Sequence, residues 1–184
     1  SILHEDRIED KDIAFESTFR KHAEHDHYFF NHINTALSEN GQVVAQASFR
    51  ESWKLSPEEM CRITAYGSKV AVYMEGIRNK EGERFNAYFS VDPDHPLNDK
   101  GTLDIKLYHD NYYKTYPFEL GEALSKLPCK IKELTDESVD EIKAQLQRGI
   151  LVPVTVEGEE REIEGYLTIN AKIGRVDVLD SKLE

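Results

Sequence analysis

Apolar and polar positions alternate with a period of two along most of this chain. Val70, Val72 and Met74 share one parity, as do Phe85, Ala87, Phe89 and Val91, and then Leu103, Ile105 and Leu107. Such alternation predicts strands that bury one face and wet the other. A helix is predicted just ahead of them. Ser56 suits the N-cap, Pro57 the first helical position, and Glu59 completes a capping box. Gly67 is placed to end that helix in a left-handed conformation.

The same order of signals then recurs. Leu134-Thr135-Asp136-Glu137 answers Leu55-Ser56-Pro57-Glu58, and Gly149-x-x-Val152 answers Gly67-x-x-Val70. Gly165-Tyr166-Leu167-Thr168-Ile169 answers Ala87-Tyr88-Phe89-Ser90-Val91, and Gly174-Arg175-Val176-Asp177-Val178 answers Gly101-Thr102-Leu103-Asp104-Ile105. Thr135 or Asp136 is expected to cap a second helix carrying Val139, Ile142 and Leu146, closed by Gly149. Val152, Val154 and Val156, then Ile163, Gly165, Leu167 and Ile169, then Val176 and Val178 line three further strands. Pro153 cannot donate to a ladder, which predicts an edge or a bulge there. The expected fold is α+β: two tandem helix-plus-three-strand (αβββ) repeats with antiparallel sheets, preceded by a β-hairpin.

That hairpin is read from Asn40-Gly41, a strong two-residue turn signal. Phe29, Ile33 and Leu37 alternate on one side of it, and Val43, Ala45, Ala47 and Phe49 on the other. It is expected to extend the sheet of the first repeat. Residues 1–26 are dominated by charge and read as a lead-in or linker bearing a short helix. The expected division is 1–26 as lead-in, 27–127 as hairpin, first repeat and a connecting helix over 118–127, and 128–184 as second repeat.

A chain of 184 residues is long enough to bury a core without disulfides or metal. Its net charge of -12 disfavours broad contact with phosphate backbones or anionic lipid while leaving room for a local basic patch. The two cysteines, Cys61 and Cys129, form no C-x-x-C and read as reduced structural thiols of a cytoplasmic protein. No apolar run approaches membrane-spanning length, so no membrane partner is expected. Ser1 in place of Met reads as a piece of a longer chain.

Candidate chemistry is sparse. His22, His25, His27 and His32, with Glu24 and Asp26 among them, raise a metal site, but their spacing fits no ligand frame and a solvated turn is expected. Asp92-Pro93-Asp94-His95-Pro96 lacks the alternation of a calcium loop. No nucleophile elbow, phosphate loop, dinucleotide fingerprint or zinc-protease helix is present. No catalytic, cofactor-binding or metal-ligating residue is therefore assigned, no cofactor is expected, and the chain reads as not an enzyme. The segment of most functional character is the join between the repeats, where Lys106, Tyr108, His109, Asn111, Tyr112, Tyr113 and Tyr116 have the composition of an interface. The same rings and lysines suit stacking on single-stranded bases. Glu159, Glu160, Glu162, Glu164 and Asp177 form an acidic stripe of the kind that a DNA mimic or inhibitor would present.

Tyr28-Phe29-Phe30-Asn31, Asn79-Lys80-Glu81-Gly82, Phe85-Asn86-Ala87-Tyr88, His109-x-Asn111-Tyr112 and Ile131-Lys132-Glu133-Leu134 carry a likeness. With Gly67, Val70, Gly149, Val154-Thr155, Asn170 and Val178-x-Asp180, they resemble an uncharacterised domain family of conjugative and mobile elements of gut anaerobes. The resemblance spans Tyr28 to Asp180 and lapses after Asn170, where members tend to carry a longer polar aromatic segment. It implies the C-terminal part of a longer protein encoded beside DNA-processing genes, with no catalytic role to carry over. The expected function is a non-catalytic protein-interaction module whose partner is a protein of the same element. Nucleic-acid association through Tyr108–Tyr116 and acidic mimicry are the alternatives.

Overall fold

A computed structural model describes residues 1–115 and 117–184. The strands and helices follow in the order β1 (Ile2–Ile8), β2 (Lys11–Lys21), β3 (Tyr28–Glu39), β4 (Gln42–Arg50), α1 (Pro57–Tyr66), β5 (Val72–Arg78), β6 (Arg84–Val91) and β7 (Ile105–His109). Then come α2 (Leu120–Ser125), β8 (Lys130–Ile131), α3 (Val139–Gln147), β9 (Val152–Glu157), β10 (Glu162–Asn170) and β11 (Arg175–Leu179). They form three sheets, ordered β1-β2-β3-β4, β5-β6-β7 and β11-β10-β9-β8, whose strand pairs are all antiparallel. The α+β class follows from these sheets and the few helices laid against them.

Residues 1–26 depart from the expected helix. They form β1 and β2, joined at Glu9 and Asp10 with φ of 50° and 63°. Asn40 and Gly41 turn β3 into β4 with φ of 52° and 77°. Positive φ at both central residues gives the twist that matches paired strands. Asp and Asn tolerate it best, and here Glu9 as well as Asp10 adopts it without a glycine. β1 was hard to read because only its last residue, Ile8, is buried. The Asn-Gly hairpin does not extend the sheet of the first repeat. It completes the β1–β4 sheet, which shares a core with the β5–β7 sheet and makes an isolated bridge from Ala47 to Leu103, just ahead of β7.

The helix start behaves as read. The Ser56 side chain accepts from the Glu59 N–H at 3.1 Å, and the Glu59 carboxylate accepts from the Ser56 N–H at 2.9 Å. α1 then lies against β3 and β4, with Met60, Cys61 and Ile63 in a core shared with Leu37, Phe49 and the β5–β7 sheet. α3 begins later than expected. Thr135 and Ser138 close a turn of mutual hydrogen bonds, and the helix follows it. Gly149, at φ 77°, follows α3 where an added Cβ would lie 3.0 Å from a Val72 methyl, so a side chain here would strain the left-handed backbone and press on β5.

The middle sheet corrects the expectation of one dry face. Ala87, Phe89 and Val91 of β6 point into the core with α1, whereas Tyr88 packs in a second core with Tyr108, α2, α3 and the β8–β11 sheet. All five residues from Ala87 to Val91 are buried. Two hydroxyls satisfy the intervening backbone: Ser90 donates to the Val70 carbonyl at 2.6 Å, and Thr168 of β10 donates to that of Lys69. Pro153 stands in β9 where no neighbour lies on its outer side, since β8 reaches only Val156 and Glu157.

Arg62 of α1 ties the parts together. Its guanidinium donates to Glu9 Oε1 at 2.8 and 3.0 Å and to the Arg148 carbonyl beyond α3 at 2.9 Å. The Arg62 side chain is buried, while Glu9 is partly in water. Removing Glu9 strands a buried cation, whereas removing Arg62 leaves a carboxylate that water can reach. Glu9→Ala is expected to cost about 3 kcal/mol in urea unfolding and Arg62→Met about 2 kcal/mol. Ser56→Ala should cost about 1 kcal/mol through the lost cap. An Arg62→Met variant less stable than Glu9→Ala would contradict this account.

Candidate anion-binding cleft

The first and middle sheets diverge on one side and leave a cleft of about 800 Å³. His32, Ser48 and Arg50 line it from β3 and β4, and Ser52 and Trp53 from the turn after β4. Arg78, Asn79, Lys80 and Phe85 enter from the β5–β6 hairpin, and Ile105, Leu107 and His109 from β7. A second hollow continues it toward Arg20, Phe30 and Asn31, sharing His32, Arg50, Ser52 and Lys80.

The local sequence explains the convergence. Arg20 lies one residue from the end of β2, and Arg50 and Arg78 are the last residues of β4 and β5. Each follows a run of alternating apolar positions, so packing of the strands delivers the cations to one end. Asn79 fixes the β5–β6 turn by accepting from the Glu83 N–H at 2.8 Å, which holds Lys80 over the cleft. Phe85 packs tilted against His109 with ring centroids 4.6 Å apart, and the Arg50 guanidinium lies 5.9 Å from the centre of the Trp53 ring.

Charge here runs against the rest of the molecule. Arg20, Arg50, Arg78 and Lys80 form no ion pair among the described residues, although Lys and Arg elsewhere commonly do. Three acids, Glu51, Glu81 and Asp104, also border the space, and Glu51 is already taken by Lys54. Burial, and then the charges of Arg50 and Arg20, hold the His32 imidazole below its usual 6.5. A cation set with unused donors, flat rings and hydroxyls can bind carboxylate, sulfate or phosphate by bidentate hydrogen bonds.

The expected interface at the join is divided by the fold. Tyr108 is 0% exposed, and so belongs to the second core rather than to a surface. Tyr113 is half-buried and donates to the Ala171 carbonyl at 2.6 Å. Both serve packing because β7 is covered on that face. Lys106, Asn111 and Tyr112 remain accessible, with the Lys106 ammonium 5.8 Å from the Tyr112 ring centre. His109 points the other way, into the cleft. Tyr116 lies outside the described residues. The acidic stripe is broken by cations, since Lys132 pairs with Glu162 and Arg175 with Asp177. His22, His25 and His27 do come together, with ring centroids 4.9 to 5.6 Å apart, but as stacked rings. Among the described residues no three His, Cys, Asp or Glu side chains converge as metal ligands. Asp92 and Asp94 are engaged by Lys172, whose hydrogen bond holds the Asp92 carboxyl down at about 2.

None of the cleft arginines was singled out in the sequence. The usable signal was a cation closing each of several alternating apolar runs, but only the packing of two sheets brings those ends together. Because folding lowers the His32 pKa, the unfolded chain binds its proton more tightly. Stability should therefore fall as pH drops through 6.5, and His32→Asn should flatten that part of a thermal-melt profile. An unchanged profile would count against the burial of His32 among these cations. No family model, curated protein or solved structure matches the chain, so its functional reading rests on the cleft itself.

Proposed function

We propose that the chain is a non-catalytic recognition module that receives an anionic group of its partner in the cleft between its first two sheets. One observation carries the reading. In a chain of net charge -12, Arg20, Arg50, Arg78 and Lys80 line the cleft and the hollow beside it with no ion-pair partner among the described residues, and Arg50 and Arg20 act on His32. Like charges brought together raise the energy of the folded state, and the bordering Glu51, Glu81 and Asp104 form no ion pair with them. A bound anion supplies the missing counter-charge. The wider setting, part of a mobile-element protein recognising another protein of that element, is the expectation drawn from the sequence resemblance and belongs to the same proposal. The accessible residues Lys106, Asn111 and Tyr112 form a smaller secondary face.

The duplication of the αβββ unit belongs here too. Supporting it, Val72 faces Phe89 and Phe89 faces Leu107, as Val152 faces Leu167 and Leu167 faces Val178. Within that comparison the third strands align differently from the sequence reading. Ile105 opposite Val91 answers Val176 opposite Ile169, two residues later than the match of Leu103 with Val176. The first copy also carries a bulge between Met74 and Ile77 that the second lacks.

Trp53 is the single tryptophan, so its emission reports on the cleft. Titration with inorganic tripolyphosphate should give a saturable change in that emission. Arg50→Ala should weaken the binding about tenfold, the loss of one charged hydrogen-bond pair. Lys126→Ala, just past the end of α2 and outside the cleft lining, should leave it unaltered. Failure of millimolar tripolyphosphate to perturb Trp53, with no heat in calorimetry, would remove the proposal.

A further inference from the structure

Past the cleft, β2 and β3 outrun their neighbours. β1 pairs no further along β2 than Ser17, and β4 no further along β3 than His32. Residues 19–30 therefore form a two-stranded arm with no flanking strand. Phe19, Tyr28, Phe29 and Phe30 are 42%, 64%, 48% and 38% exposed on it. A ribbon of two strands is marginal alone and gains nothing from apolar rings held in water. Phe19 pairs with Phe30 at 5.4 Å, and Phe29 stands edge-on to His22 and His27 at 5.4 and 4.9 Å. Arg20 sits opposite Phe29, and Lys21, itself paired with Asp26, sits opposite Tyr28, so each cation has a ring across the ladder. The arm is continuous with the cleft, because Arg20 and Phe30 line the same hollow as Arg50 and Lys80.

Resting on the anionic reading of the cleft alone, and not on a protein partner, we propose that its ligand is a single-stranded nucleic acid. Its phosphates lie along Arg20, Arg50, Arg78 and Lys80, and its bases stack on the exposed rings of the β2–β3 arm. The pairing of a cationic track with sequence-tolerant stacking platforms is the physical requirement for holding an unpaired strand. A duplex keeps its base faces stacked on one another and offers none to Phe29 or Phe30. The surplus of acid elsewhere is compatible with this, since charges more than about 8 Å away are largely screened at physiological salt.

The test is fluorescence anisotropy with a labelled oligothymidylate of about twelve residues, with an oligouridylate alongside to rank DNA against RNA. Either strand should bind, and log affinity should fall with log salt at a slope near -3, from about four neutralised phosphates. The double variant Phe29→Ala, Phe30→Ala should weaken strand binding roughly tenfold or more while leaving tripolyphosphate binding intact. Phe29→Leu with Phe30→Leu keeps apolar area without flat rings and should lose the same binding, which separates stacking from folding. Equal binding by the ring-less variants, or tighter binding of poly-glutamate than of either strand, would overturn the inference while the anionic cleft stood. Loss of both strand and tripolyphosphate binding in the unmodified protein would overturn both.

Discussion

The burial of β6 on both faces organises this molecule. A strand with one wet face needs a single apolar partner layer, but Ala87, Tyr88, Phe89, Ser90 and Val91 need two. The β1–β4 sheet with α1 supplies one, and α2, α3 and the β8–β11 sheet supply the other. A polar residue inside such a strand must be hydrogen-bonded, and Ser90 is, through the Val70 carbonyl. Arg62 then locks the arrangement by reaching from α1 to the turn of the first hairpin and to the backbone after α3.

The cleft is a consequence of that layering. The first and middle sheets share a core and are bridged at Ala47 and Leu103, and the cleft opens between them beside that bridge, with Ser48 and Leu103 in its wall. Strand ends are where side chains become polar, and these strands end in arginine. Elsewhere the cations are spent on the molecule's own acid: Arg62 on Glu9, Lys172 on Asp92 and Asp94, Lys132 on Glu162. Arg20, Arg50, Arg78 and Lys80 at the cleft form no such pair among the described residues.

The arm beyond the cleft obeys the same geometry. Once β1 and β4 stop, β2 and β3 have no flanking strand, and Phe19, Tyr28, Phe29 and Phe30 come to the surface. The Tyr-rich join shows the converse. There the second core closes over β7, so Tyr108 and Tyr113 are drawn inside and lose the accessibility their composition suggested.

Local rules settled much of this from residue order alone. The Ser56–Glu59 capping box, the Asn40-Gly41 turn, the end of α3 at Gly149 and the alternating strands depend on neighbours a few positions away, and spacing is enough to read them. The β1–β2 hairpin escaped notice because β1 buries almost nothing and its turn uses Glu9-Asp10 without glycine. A period of two also states that a strand has an apolar face, not which sheet covers it or whether a second layer hides the other face. Sheet membership, the double burial of β6, and the meeting of Arg20, Arg50, Arg78 and Lys80 were decided only by tertiary packing, because each depends on contacts between residues distant in the chain whose signals are individually ordinary.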